Sequence, residues 1–170
     1  RERETEVLKE IMGNDTRIFE MISAQLCFWE EYGDDETLGN KSEVIDGVYE
    51  ALNPIKLFSD ILKSGNKYKI GYACRRLADY DAYDYLEDIY GFSKSKNRNL
   101  SYNAAMALSR LGFADGVAEY ILRIQDDKRY SSRIVNELFA NFSSDRARLA
   151  SIVFEKCNDY MKTTVINAIA

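Results

Sequence analysis

An all-α chain of stacked helix pairs is what this sequence predicts, and three observations carry the prediction. The stretch NLSYNAAMALSRLGFADGVAEYILRI, residues 99–124, reads as helix, tight turn, helix, with apolar residues at helical spacing in both halves: Ala104, Ala107, Leu108 and Leu111, then Val117, Ile121 and Leu122. Gly112 stands where the first helix should end and Asp115 where the second should begin. Segments of the same pattern recur along the chain about every 30 residues, and a lone hairpin of this size cannot bury its apolar faces, so the copies must stack.

The elements follow in order. RERETEVLKEIM, residues 1–12, is expected to form a charged helix with a thin apolar stripe of Val7, Leu8 and Ile11, broken by Gly13 and Asn14. Asp15 or Thr16 can cap the next helix, which carries Ile18, Phe19, Ile22, Leu26 and Trp29 and ends near Tyr32–Gly33. An acidic loop, GDDETLGNK, precedes a helix opened by Ser42 and Glu43 and running through Val44, Ile45, Val48 and Leu52. Asn53–Pro54 is a start signal, a cap residue followed by proline at the first helical position. From there two kinds of helix alternate. The A series covers about 54–62, 82–92, 115–124 and 145–157; the B series covers about 67–78, 100–111 and 130–142 and resumes near 160.

The B segments can be laid over one another on their last core residue. The anchors are Leu77, Leu111, Leu138 and Ile169, at intervals of 34, 27 and 31 residues. Four positions earlier, one helical turn away on the same face, lie Ala73, Ala107, Ile134 and Val165; three earlier lie Cys74, Leu108, Val135 and Ile166. IVNELFA at Ile134 and VINAIA at Val165 are the closest pair, each with asparagine two before the anchor.

SYNAAMALSRLGFADGVAEYIL resembles a HEAT-type repeat: a B helix with small core residues, a leucine, a Gly turn with Asp, then an A helix. KIGYACRRLADYDAYDYL and IVNELFANFSSDRARLASIV follow the same plan. The resemblance spans Pro54 to Ala170 and implies a right-handed α-α superhelix, a HEAT/ARM-like solenoid of antiparallel helix pairs, with repeats at about 54–79, 80–112, 113–142 and a truncated 143–170. Unequal intervals depart from that plan, as does Ala78–Asp79 at the end of the first B helix, where a glycine is expected. Residues 1–53 do not fit it and are expected to be an acidic helical cap or divergent repeat, joined with the rest in one domain.

Charge divides the chain along the same line. Residues 1–53 hold five basic and fourteen acidic residues, and 54–170 hold eighteen basic and fourteen acidic, so a net −5 conceals −9 followed by +4. The single proline and the lack of a Pro/Gly/Ser-rich stretch argue against a long disordered linker. No run approaches the roughly 18 apolar residues of a membrane span, and no signal peptide opens the sequence. A start at Arg1 rather than Met suggests a piece of a longer protein. RERETEVLKE resembles the charged stalk that follows a membrane helix in similar bacterial HEAT-repeat proteins. The expected location is therefore the cytoplasm, with tethering to the inner membrane face through an upstream segment.

The sequence carries little chemistry. With no histidine, the Ser-His and Cys-His nucleophile pairs and most catalytic zinc sites are excluded. The glycines are single rather than clustered, so there is no phosphate-cradling loop. Cys27, Cys74 and Cys157 are odd in number and far apart, fitting small buried residues better than a disulfide framework or zinc site. Cys74 is flanked by Arg75 and Arg76, but its repeat position is apolar, so core is the better reading than activated thiolate. Trp29, among Leu26 and Phe28, is likewise expected in the core. In DYDAYDYLED, Asp79, Asp81 and Asp84 lack the glycine and closing glutamate of a calcium loop; Asp81 is expected to cap the following A helix. Tyr80, Tyr83, Tyr85 and Tyr90 cannot all point inward; some should pack between repeats, and one or two are candidates to line a partner surface. No catalytic residue, cofactor or metal site is expected.

The B helices offer a candidate surface, since in HEAT solenoids they line the concave side. Positions one, five and eight before the anchors share a stripe: Arg76, Tyr72 and Lys69 in the first, Arg110, Met106 and Asn103 in the second, Glu137, Arg133 and Tyr130 in the third. Arg, Tyr and Met are enriched in binding surfaces. The expectation is a non-enzymatic protein–protein interaction scaffold holding an acidic or extended partner segment, with Arg76, Arg110 and Arg133 supplying charge and Tyr72, Met106 and Tyr130 apolar contact. Nucleic-acid binding is the alternative, since some HEAT-like proteins are DNA glycosylases, but +4 spread over the repeats is a weak phosphate-binding charge. A HEAT-like enzyme of the bilin lyase type is the remaining one, with no residue pattern to carry it.

Overall fold

The computed structural model describes residue 10, residues 15–32 and residues 41–169, and every regular element among them is helical. The expected helix over 1–12, apart from Glu10, and the acidic loop over 33–40 lie outside the described residues, as do the side chains of Cys27 and Trp29. The chain divides into two compact units, residues 1–57 and 58–170.

In the first unit, helices α1 (Thr16–Tyr32) and α2 (Lys41–Leu52) pack on one another. Asp15 is the cap of α1: its Oδ1 accepts the Arg17 backbone N–H at 2.9 Å, and its carboxylate also takes the Arg17 guanidinium at 2.8 Å. That pairing holds the Asp15 carboxyl down at about 2. Phe19 and Leu52 are buried. The unit border falls within α3 (Pro54–Leu62), whose cap Asn53 accepts the Lys56 N–H at 3.1 Å.

The second unit holds two interleaved rows. The B row is α4 (Lys67–Asp79), α6 (Arg98–Arg110), α8 (Lys128–Ala140) and α10 (Asp159–Ile169); each touches the next. The A row is α5 (Leu86–Ser93, preceded by a 3-10 turn at Tyr83–Tyr85), α7 (Ala114–Ile124) and α9 (Arg146–Phe154), again each touching the next. Core side chains lie between the rows: Leu77, Leu108 and Leu138 from the B row and Ile89, Ile121 and Val153 from the A row are all fully buried.

The caps reveal the repeat better than the core does. Asn66, Asn97, Asp127 and Asn158 precede the four B helices, at intervals of 31, 30 and 31 residues. Each asparagine Oδ1 accepts the N–H three residues on: Lys69 at 3.3 Å, Leu100 at 2.9 Å and Met161 at 2.9 Å. Counted from these caps, the equivalents of Leu77 are Leu108, Leu138 and Ile169. The expected second anchor, Leu111, is therefore displaced by three residues.

The turn chemistry confirms the corrected register. At the end of α6 the Phe113 N–H bonds Leu108 O (2.9 Å) and the Gly112 N–H bonds Ser109 O (3.1 Å), a Schellman motif with Gly112 at φ +71°. At the end of α4 the Ala82 N–H bonds Leu77 O (3.0 Å) and the Asp81 N–H bonds Ala78 O (3.2 Å), with Asp81 at φ +51°. Asp81 thus fills the left-handed position that Gly112 fills one repeat later, which a short polar residue tolerates. It does not cap the A helix as expected: Ala82 and then Tyr85 precede the 3-10 turn and α5, without side-chain caps. Asp115 likewise sits inside the first turn of α7, after Phe113, where its charge favours the helix N-terminus without capping it.

Two expected core positions are open. Ile166 is 51% and Ile169 47% exposed, because α10 touches α8 and α9 and no later helix among the described residues.

Candidate functional site

The stripe expected on the B helices is partly consumed by the packing of one repeat on the next. Met106 is only 4% exposed, which removes it from any partner surface. The cause is the slipped register: by the caps, Met106 is equivalent to Arg75, and the residue equivalent to Tyr72 is Asn103. Asn103 is half-buried, with its Nδ2 donating to Asn99 O at 2.9 Å. Its Cβ faces Gly71 so closely that a Cβ added there would meet it at 3.3 Å, so the absent side chain lets α4 and α6 approach.

Three of the expected cations are bound to the chain's own carboxylates. Asp79 bridges Arg76, at 2.9 Å in the same helix, and Arg110 of the next B helix. Arg76 is mostly sheltered: its guanidinium lies 5.7 Å from the Phe58 ring centre and 5.5 Å from that of Tyr80, and it donates to the Tyr80 hydroxyl at 3.3 Å. Arg110 keeps 46% of its side chain exposed. Arg133, 83% exposed, pairs with Glu137 at 2.8 Å one helical turn on.

Glu137 is also the acceptor of the Tyr102 hydroxyl at 2.5 Å, which joins α6 to α8. This hydrogen bond, with that of Arg133, holds the Glu137 carboxyl below its usual range. Burial, then the Glu137 bond, pushes the Tyr102 phenol up to about 12. The charge of Arg75 acts on both groups, so α4, α6 and α8 each contribute to one polar cluster. Neither Tyr102 nor Arg75 belongs to the sequence-derived stripe.

What stays open on the B row is Lys69, Tyr72 (38% exposed), Arg110 and Arg133, together with Tyr68 at 71%, which the sequence reading did not select. Tyr72 also packs edge-on to Phe58 at 5.8 Å. Tyr130 is half-buried, stacked beneath Arg98 at 5.2 Å and 3.5 Å from the Tyr120 hydroxyl.

A cavity of about 430 Å³ opens at the turn end of the rows, bordered by the α5–α6 turn, the start of α6, the last turn of α7 and the start of α8. Tyr130 is the one stripe residue that lines it. The tyrosines of the 80–90 segment divide: Tyr83 is 56% exposed, while Tyr90 packs edge-on to Phe113 at 5.4 Å and donates to Glu119 in the next A helix.

Neither described thiol is activated. Cys74 is fully buried, and burial pushes its thiol up to about 12; burial raises Cys157 too. Among the described residues no group of carboxylates and thiols could hold a metal ion, and no helix is long and apolar enough to cross a membrane. Comparison with protein-family models, curated proteins and solved structures finds no match to this chain.

Proposed function

We propose that this chain is a non-enzymatic protein–protein interaction module, a HEAT-like right-handed solenoid whose B-helix row receives an extended partner segment. One observation carries the reading: successive B helices lie side by side at a near-constant 30–31-residue step and leave an exposed run of tyrosine and basic residues along the row. Stacked helical repeats use extended faces of this kind for binding, and Tyr and Arg dominate binding energetics where they are exposed on a rigid surface. The open residues are Tyr68, Tyr72, Lys69, Arg110 and Arg133. Arg76 serves the internal packing instead, because its guanidinium sits between two rings and a carboxylate.

The test is site-directed photo-crosslinking in cells. A crosslinking residue at Tyr68 or Arg133 should capture one discrete protein. The same residue at Arg148, exposed on the A row, should not. Equal capture from both rows, or none from the B row, refutes the assignment of the face. Arg110→Glu with Arg133→Glu should abolish the capture while leaving the helical circular dichroism unchanged.

A further inference from the structure

The cavity beside Tyr130 holds charge that the chain does not neutralise. Four cations and two carboxylates line it. Arg98 is matched by Asp127 at 3.2 Å, and Lys94 by Glu119 at 3.6 Å. Asp126 accepts from Asn158 Nδ2 at 3.4 Å, a neutral donor that leaves its negative charge in the lining. Lys96 and Arg123 remain, with no carboxylate in ion-pair contact with either among the described residues.

Arg123 is nevertheless held in place. Its guanidinium donates to Ser93 O of the preceding A helix and lies 5.1 Å from the Tyr120 ring centre. One such bond leaves most of a guanidinium's five donors available. A guanidinium fixed by a ring and a carbonyl loses little freedom when it takes a second partner. Lys96 is exposed in the α5–α6 turn that borders the cavity and supplies an adaptable point charge. Ile124 and Tyr130 give the wall an apolar part. The volume falls within the ~300–1,000 Å³ of small-molecule pockets, more than a bare oxyanion needs.

We infer that this cavity binds a phosphomonoester carrying an organic body, its phosphoryl oxygens taken by Arg123 and Lys96 and its body lying along Tyr130 and Ile124. The spare donors of Arg123 and the three of Lys96 match the three acceptor oxygens of a phosphoryl group, and the surplus positive charge of the site, reduced but not cancelled by Asp126, favours an anion. A carboxylate, with two oxygens, would leave part of that donor set unmet. This site is separate from the protein-binding reading, and its test needs no protein partner.

The test is calorimetric titration of the whole chain with phenyl phosphate, inorganic phosphate and benzoate. Phenyl phosphate should bind with a Kd of about 1 mM or tighter. Inorganic phosphate, lacking the body, and benzoate, lacking the third oxygen, should each bind several-fold more weakly. Lys96→Gln should weaken phenyl phosphate about tenfold, as expected for losing a charge-assisted contact, and Lys96→Arg should restore it. Arg123→Gln should abolish it, and Arg148→Gln, away from the cavity, should leave it unchanged. Lys96 is an exposed turn residue, so Lys96→Gln keeps the test valid even if Arg123→Gln disturbs folding. No binding at about 10 mM, equal affinity for benzoate, or insensitivity to Lys96→Gln overturns the proposal.

Discussion

Ser109 and Ser131 are both fully buried serines on adjacent B helices, yet their removal should act in opposite directions. Ser109 Oγ donates to Leu138 O of the next B helix at 2.5 Å. That carbonyl sits near the end of α8, where the Asn141 and Phe142 N–H groups turn to Glu137 and Phe139 instead. Ser109→Ala therefore strands a buried helix-end carbonyl, at a cost of about 1–3 kcal/mol. Ser131 Oγ is buried with no hydrogen-bond partner, so its desolvation is already uncompensated. Ser131→Ala should be neutral or stabilising by up to about 1 kcal/mol. Urea unfolding followed by circular dichroism measures both. With a slope of about 2 kcal/mol per molar, the Ser109→Ala midpoint should fall by about 1 M at unchanged slope, while that of Ser131→Ala holds or rises. Equal destabilisation by the two variants would refute the reasoning, because volume loss alone would then account for both.

Gly65 and Gly112 both have positive φ, at +72° and +71°, but an added Cβ meets nothing within 4 Å at Gly65 and comes within 2.9 Å of Ser144 Cβ at Gly112. Gly65→Ala should cost about 1–2 kcal/mol from the backbone alone and Gly112→Ala measurably more; equal melting shifts would refute the close approach. Spectrophotometric titration should show Tyr102 ionising near 12 rather than at its ordinary 10.0. Its phenol is raised, so the Tyr102–Glu137 bond contributes fully below pH 10 and is lost as pH climbs toward 12; Tyr102→Phe should delete that late component. In a Cys27→Ser, Cys157→Ser background, Cys74 should react with a disulfide reagent only at the rate at which the chain opens, and an immediate reaction in the folded protein would contradict its burial.

Helix placement was legible because the caps and breaks are local. Asn53–Pro54, Asn66, Asn97 and Asp145 announce their helices within two or three residues, and Gly112 ends one by the conformation only it adopts cheaply. Repeat register was not, because the end of α6 offers two leucines three residues apart, Leu108 in the helix and Leu111 just after it, both buried. Aligning on Leu111 made the intervals uneven and carried Met106 onto a surface it does not reach. Aligning on the asparagine caps removes the unevenness, since a cap has one geometric role whereas a core leucine has several equivalents on its face. The exchange of Gly112 for Asp81 at the same turn hid the repeat further, since the two residues reach left-handed backbone for different reasons.

The same register decides how much of the surface charge is free. Arg76 with Asp79 and Arg133 with Glu137 stand three and four residues apart on single helices, so their pairing can be read from spacing. The Arg110–Asp79 pair spans 31 residues, one repeat, and both residues occupy the second position after the cap-aligned leucine. Tyr90 with Glu119 and Arg98 with Asp127 each span 29 residues, and Arg123 with Ser93 spans 30. Charges at such separations cement one repeat to the next, and a charge count that ignores them overstates what a partner can use. For an acidic peptide, the resident carboxylate of each of these surface pairs competes for the arginine, though an exposed pair resists by no more than about 1 kcal/mol. Arg123 and Lys96 are different: neither has a carboxylate to release among the described residues, so an anion arriving in that cavity meets positive charge without first displacing a resident partner.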